Sequence, residues 1–90
     1  MALLNMNDRE SMVLAAKLLE EVLSETMLPE DALEKWPEIS AKSPKILRNA
    51  WTCLRHFADD SDIHIWDPEY LRANRGNLSK FAIELMAKNP

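Results

Sequence analysis

Ninety residues with a formal net charge of −4 and 47% apolar content are expected to form one domain over residues 1–90, too apolar for a disordered tail and too acidic for nonspecific nucleic-acid binding. A single glycine disfavours a β fold built on hairpins, which lean on glycine-containing turns. One cysteine, Cys53, excludes an internal disulfide, and no stretch approaches the roughly 18 consecutive apolar residues of a membrane span.

The first helix announces itself at Asn7. Asn7 and Glu10 have the spacing of a capping box, in which each side chain satisfies a backbone N–H of the other residue. Met12, Ala15, Ala16, Leu19, Val22 and Leu23 then recur at helical spacing, with Leu14 and Leu18 widening the stripe. Pro29 restrains the residue before it from the α region, so this helix is expected to stop near Met27. "PEDALEKWP" reads as a short second helix, opened by Pro29 in the first turn and two acids at the positive end of the dipole, and closed by Pro37.

The third helix is expected to take Ser43 as N-cap and Pro44 as its first residue. Its apolar face is Ile46, Leu47, Ala50, Trp51, Leu54, Phe57 and Ala58, and it should end near Ala58. In "SDIHIWD", Ile63 and Ile65 alternate with His64 and Trp66. A lone strand has no partner in this chain, so the segment reads as an irregular loop with both isoleucines anchored on the core. Asp67-Pro68 repeats the start signal for a last helix, with Tyr70, Leu71, Leu78, Phe81, Ala82, Leu85 and Met86 facing inward. Gly76 falls on its polar side, and the helix is expected to run through it despite a cost of about 1 kcal/mol relative to alanine. Three long helices and one short one make an all-α small helical bundle, each burying one apolar stripe.

Charge is segregated along this plan. Residues 42–58 carry four bases and no acid, and residues 59–69 carry five acids and no lysine or arginine. Acids ahead of a helix start suit its dipole, which accounts for part of the pattern. The rest points to two candidate surfaces. One is the acidic segment, with Asp59, Asp60, Asp62 and His64 around Trp66: Trp36 and Trp66 both stand at element ends, where a large aromatic either plugs the bundle or serves as a binding anchor, and an exposed Trp66 makes an apolar anchor with an acidic rim that suits a basic protein partner. The other is Lys45, Arg48 and Arg55 on the polar side of the third helix, which suits an anionic partner.

Chemistry is harder to place. An EF-hand loop begun at Asp60 meets Asp62 and His64, then Ile65 where glycine belongs and Leu71 where glutamate belongs. Begun at Asp59, it meets Ser61, Ile63 and Tyr70. One cysteine cannot build a multi-cysteine zinc site, so no metal is expected. Cys53 lies one helical turn from His56, but it flanks the core stripe, where a thiol is buried and inert. With no glycine-rich phosphate loop, the expectation is no catalytic residue, no cofactor and no small-molecule substrate. A helix-turn-helix is a poor fit, since the connection from Pro37 to Ser43 is long and lacks glycine.

These readings converge on a small, non-enzymatic interaction or regulatory protein with a protein partner or self-association. A narrower version is an acidic inhibitor or immunity-type protein that masks a basic target. The alternative is a nucleic-acid-binding module using the basic face of residues 44–58. "MALLNMNDRE" has neither a basic n-region nor a sustained apolar run, so the expected compartment is the cytoplasm.

Overall fold

In a computed structural model, which describes residues 7–87, the chain is all-α. Five helices follow one another among the described residues: α1 Asp8–Leu23, α2 Pro29–Lys35, α3 Lys45–Asp59, α4 Ser61–Trp66 and α5 Pro68–Ala87. The longest pairing is α1 with α5, while α3 packs on α5 and α2 covers α3. No helix among the described residues is long and apolar enough to cross a membrane.

The capping box forms as the Asn7–Glu10 spacing predicts. The Glu10 N–H donates to Asn7 Oδ1 at 2.8 Å and the Asn7 N–H to Glu10 Oε1 at 3.2 Å. At its other end α1 stops at Leu23, four residues before the proline-based expectation. Polar chemistry ends it first. Glu25 adopts a positive φ of 64°, and the N–H groups of Glu25 and Thr26 turn back to the carbonyls of Val22 and Glu21 at 3.1 and 2.9 Å. This is the Schellman arrangement, here without the usual glycine. The Ser24 and Thr26 hydroxyls also donate to the Glu21 carbonyl. The freed Leu23 carbonyl accepts from the Arg75 guanidinium of α5, which fastens the end of α1 to the first half of α5.

The core is one cluster. Ala15, Ala16, Leu18, Leu19 and Val22 of α1 meet Leu47, Ala50, Leu54 and Phe57 of α3 and Leu78, Ala82 and Leu85 of α5. Each fully buried leucine contributes about 1.5–3 kcal/mol relative to an exposed one. Trp36, at the end of α2, is only 8% exposed and closes the bundle. Trp51, expected on the core stripe, sits at the edge of it, half-buried, with the Arg55 guanidinium 5.4 Å from its ring centre. The last helix runs unbroken through Gly76, beside which a Cβ would meet nothing within 4 Å.

Two local expectations are corrected. Helix α3 begins at Lys45 with Pro44 in the cap position, because the Ser43 hydroxyl is already accepting the Ser40 N–H at 2.8 Å. The segment after it is a six-residue helix, α4, rather than an irregular loop, and none of its residues is buried. The bundle therefore has three long helices and two short ones among the described residues.

Candidate functional site

Helix α4 is placed by three contacts rather than by an apolar stripe. The His64 ring lies against Phe57 of α3, with centroids 4.6 Å apart, and against Tyr70 of α5 at 5.6 Å. The Tyr70 hydroxyl donates to Asp60 Oδ2 at 2.6 Å. Asp67 ends α4 and starts α5, its Oδ1 accepting the Tyr70 N–H at 3.1 Å, which is the capping role its sequence position implies. His64 thus serves as a packing ring, and its Nε2 is buried with no hydrogen-bond partner among the described residues.

With His64 turned inward, the rest of α4 faces out. Trp66 is 86% exposed and Ile65 81% exposed, and Ile63 is also exposed. The expectation that Ile63 and Ile65 anchor on the core is overturned. On a helix, residues one and two positions from His64 are rotated about 100° and 200° from it, so seating His64 swings its neighbours to solvent. Asp62, Asp67 and Glu69 are exposed around them. Among the five residues read as one acidic contact surface, Asp59, Asp62 and Trp66 are exposed, whereas Asp60 and His64 are half-buried and hold α4 in place.

Sequence reasoning missed Ile63 and Ile65 as surface residues, and Tyr70 as the tether. The sequence carries no signal that decides either: Ile63 with Trp66 and Trp66 with Tyr70 stand three and four residues apart, the spacing of one helix face, but that pattern does not say whether the face is buried. Tyr70 and Met86, both expected inside, are exposed, and Ile83 joins them at the surface.

The alternative face is also geometrically intact. Lys45, Arg48, Asn49, Thr52, Arg55, His56 and Asp59 are all exposed and recur at helical spacing along one side of α3. Asp59 is the lone acid, at the C-terminal end.

An open groove of about 580 Å³ lies between the α1–α2 connection, α2, Phe57 of α3 and the first half of α5. Val22, Met27, Leu28, Phe57 and Leu71 form its apolar wall, and Glu25, Asp31, Lys35 and Arg75 its polar rim. Phe57 is the shared element, lining the groove and carrying His64. Cys53 is half-buried near Phe81 and Lys80, and burial pushes its thiol up from the usual value. That works against thiolate formation and hence against nucleophilic reactivity. Among the described residues no group of three or more His, Cys, Asp or Glu side chains is close enough to hold a metal ion.

No protein-family model, no curated protein and no solved structure matches this chain.

Proposed function

We propose that this chain is a non-enzymatic interaction protein whose contact surface is helix α4, with Trp66 and Ile65 as apolar anchors inside a rim of Asp62, Asp67 and Glu69. The observation that supports the reading is the exposure of both large side chains on a helix whose inward packing is carried by His64 alone and that has no fully buried residue. Exposing an indole and an isoleucine side by side has no stabilising role in the monomer, and such anchors carry a large share of binding energy where proteins meet. The acidic rim selects the partner's chemistry. A basic surface is attracted and steered by these carboxylates, and an acidic one is repelled. Masking a basic target, as an inhibitor or immunity-type protein does, is the narrower form of the same proposal.

Paired affinity captures from the native cell lysate test it, one with the wild-type chain and one with Trp66→Ala. The reading predicts a basic protein retained by the wild type and lost with Trp66→Ala, while the circular dichroism spectrum is unchanged. It further predicts loss of that protein at high salt. Capture that is indifferent to Trp66 rejects α4 as the contact surface.

The second reading, binding of nucleic acid through Lys45, Arg48 and Arg55, is favoured by the shared exposure of these residues on one face. Salt-sensitive binding of labelled duplex that Arg48→Glu abolishes would support it.

A further inference from the structure

Ser11 is only 7% exposed, on a side of α1 whose other buried residues are all apolar. A buried helical hydroxyl ordinarily returns to the carbonyl four residues back, as Thr52 does to Arg48 at 3.1 Å. The Ser11 hydroxyl makes no such bond among the described residues. It opens instead on a cleft of about 300 Å³ between the first turn of α1, the α2–α3 connection and the first turn of α3.

The α3 side of this cleft is built of donors. Pro44 holds the N-cap position, no side chain caps the helix, and its first turn carries no acid. The N–H groups of Lys45 and Ile46 therefore keep the partial positive charge of an unsatisfied helix start. Ser43 Oγ accepts the Ser40 N–H at 2.8 Å, and Ser40 Oγ accepts the Lys42 N–H at 3.2 Å. With both oxygens occupied as acceptors, each hydroxyl keeps its own proton to donate. The Lys42 side chain lines the same cleft and adds a full positive charge.

Asp8 and Glu38 line it too, and they supply carboxylates. A simple anion would be repelled by this pair, and a simple cation by Lys42 and the helix start. A divalent metal lacks ligands, since no group of three or more His, Cys, Asp or Glu side chains comes together among the described residues. A molecule that carries a carboxylate and an ammonium close together meets both kinds of wall. The cleft lies at the lower end of the range for ligand pockets, about 300–1,000 Å³, and its walls are polar except for Leu47. Both features limit the ligand to a small, polar body.

We infer that this cleft is a binding site for a small free amino acid. The start of α3, Lys42 and the serine hydroxyls take its carboxylate, and Asp8 and Glu38 take its ammonium. The site shares no residue with α4, so it stands or falls independently of the α4 contact surface.

NMR titration of the full chain tests it with three probes: L-serine, N-acetyl-L-serine, which lacks the ammonium, and L-serinamide, which lacks the carboxylate. L-serine binds with a Kd below about 1 mM, and each single-charge analogue binds at least about tenfold more weakly. Ser11→Ala weakens L-serine binding at least about threefold. Alanine is the better helix former, so that variant keeps its fold. Glu38→Gln weakens L-serine but not N-acetyl-L-serine, and Lys42→Gln weakens L-serine but not L-serinamide. L-serine that fails to bind at about 10 mM overturns the inference. So does an analogue that binds as tightly as L-serine, which would make the cleft a site for one charge alone, and so does binding indifferent to Ser11→Ala.

Discussion

Tyr70 donates its hydroxyl to Asp60 Oδ2 across 2.6 Å, tying the first turn of α5 to the residue that joins α3 to α4. The hydrogen bond, reinforced by the charge of Asp60, pushes the phenol up from its usual value. A phenol raised in this way holds its proton more tightly in the folded chain than in the unfolded one. Its contribution is fully present below the unfolded value, about 10, and is lost as pH rises through the higher folded value. The chain has one tyrosine, so tyrosinate absorbance reports this group alone. The wild type titrates above an unfolded control, and Asp60→Asn brings the midpoint back toward it. Equal midpoints in the native and unfolded wild type would show that the tether is absent in solution.

Glu25 turns the chain out of α1 with a positive φ of 64°, a conformation that L side chains resist. It also places a carboxylate at the negative end of a helix. Glu25→Gly relieves both. Urea unfolding should show a gain of about 0.5–1 kcal/mol, after the added backbone entropy of glycine in the unfolded chain is subtracted. A loss of stability would mean that the Glu25 side chain makes a compensating contact.

How far such features could be read from the sequence depends on whether their cause is local. The start of α1 was legible because Asn7 and Glu10 satisfy each other's backbone within one turn. Helix α2 was legible from its flanking prolines, and the unbroken α5 from the polar-side position of Gly76. The end of α1 was not, since Ser24, Glu25 and Thr26 stop it by hydrogen bonds that precede any effect of Pro29. Helix α4 was hidden for a different reason. Ile63 and Ile65 alternate with period two, yet the segment is helical because His64 packs between Phe57 and Tyr70, and Tyr70 reaches Asp60 ten residues away. The same tertiary contacts decide which of the acidic residues face solvent. The exposed side of α3, by contrast, follows directly from helical periodicity, which placed Lys45, Arg48 and Arg55 together from the start.

Arg75 donates from α5 to the carbonyl of Leu23 at the end of α1, in a partly buried setting where a charged donor strengthens the bond. Arg75→Met keeps much of the apolar stem and removes the donor. The expected cost is about 1–2 kcal/mol in urea unfolding. A change below about 0.3 kcal/mol, within the usual range for surface substitutions, would show that the two helices do not depend on this bond.

Trp36 closes the bundle, but its Nε1 is buried and finds no acceptor among the described residues. A buried donor without a partner carries its full desolvation cost. Trp36→Phe removes that cost while leaving a modest cavity, so the two effects offset and stability changes by less than about 1.5 kcal/mol. Trp36→Ala removes the plug itself and costs about 3–5 kcal/mol. A large loss with Phe would locate an acceptor for the indole in solution.

The division of labour in α4, with His64 packing inward and Ile65 and Trp66 reaching outward, is tested most directly by one double substitution, Ile65→Ser/Trp66→Ala, followed by urea unfolding and by affinity capture from the native cell lysate. Stability within about 0.5 kcal/mol of the wild type, together with loss of the basic protein that the wild type retains, is the predicted result. A loss of more than about 2 kcal/mol with capture unchanged would return both side chains to the core and remove α4 as a contact surface.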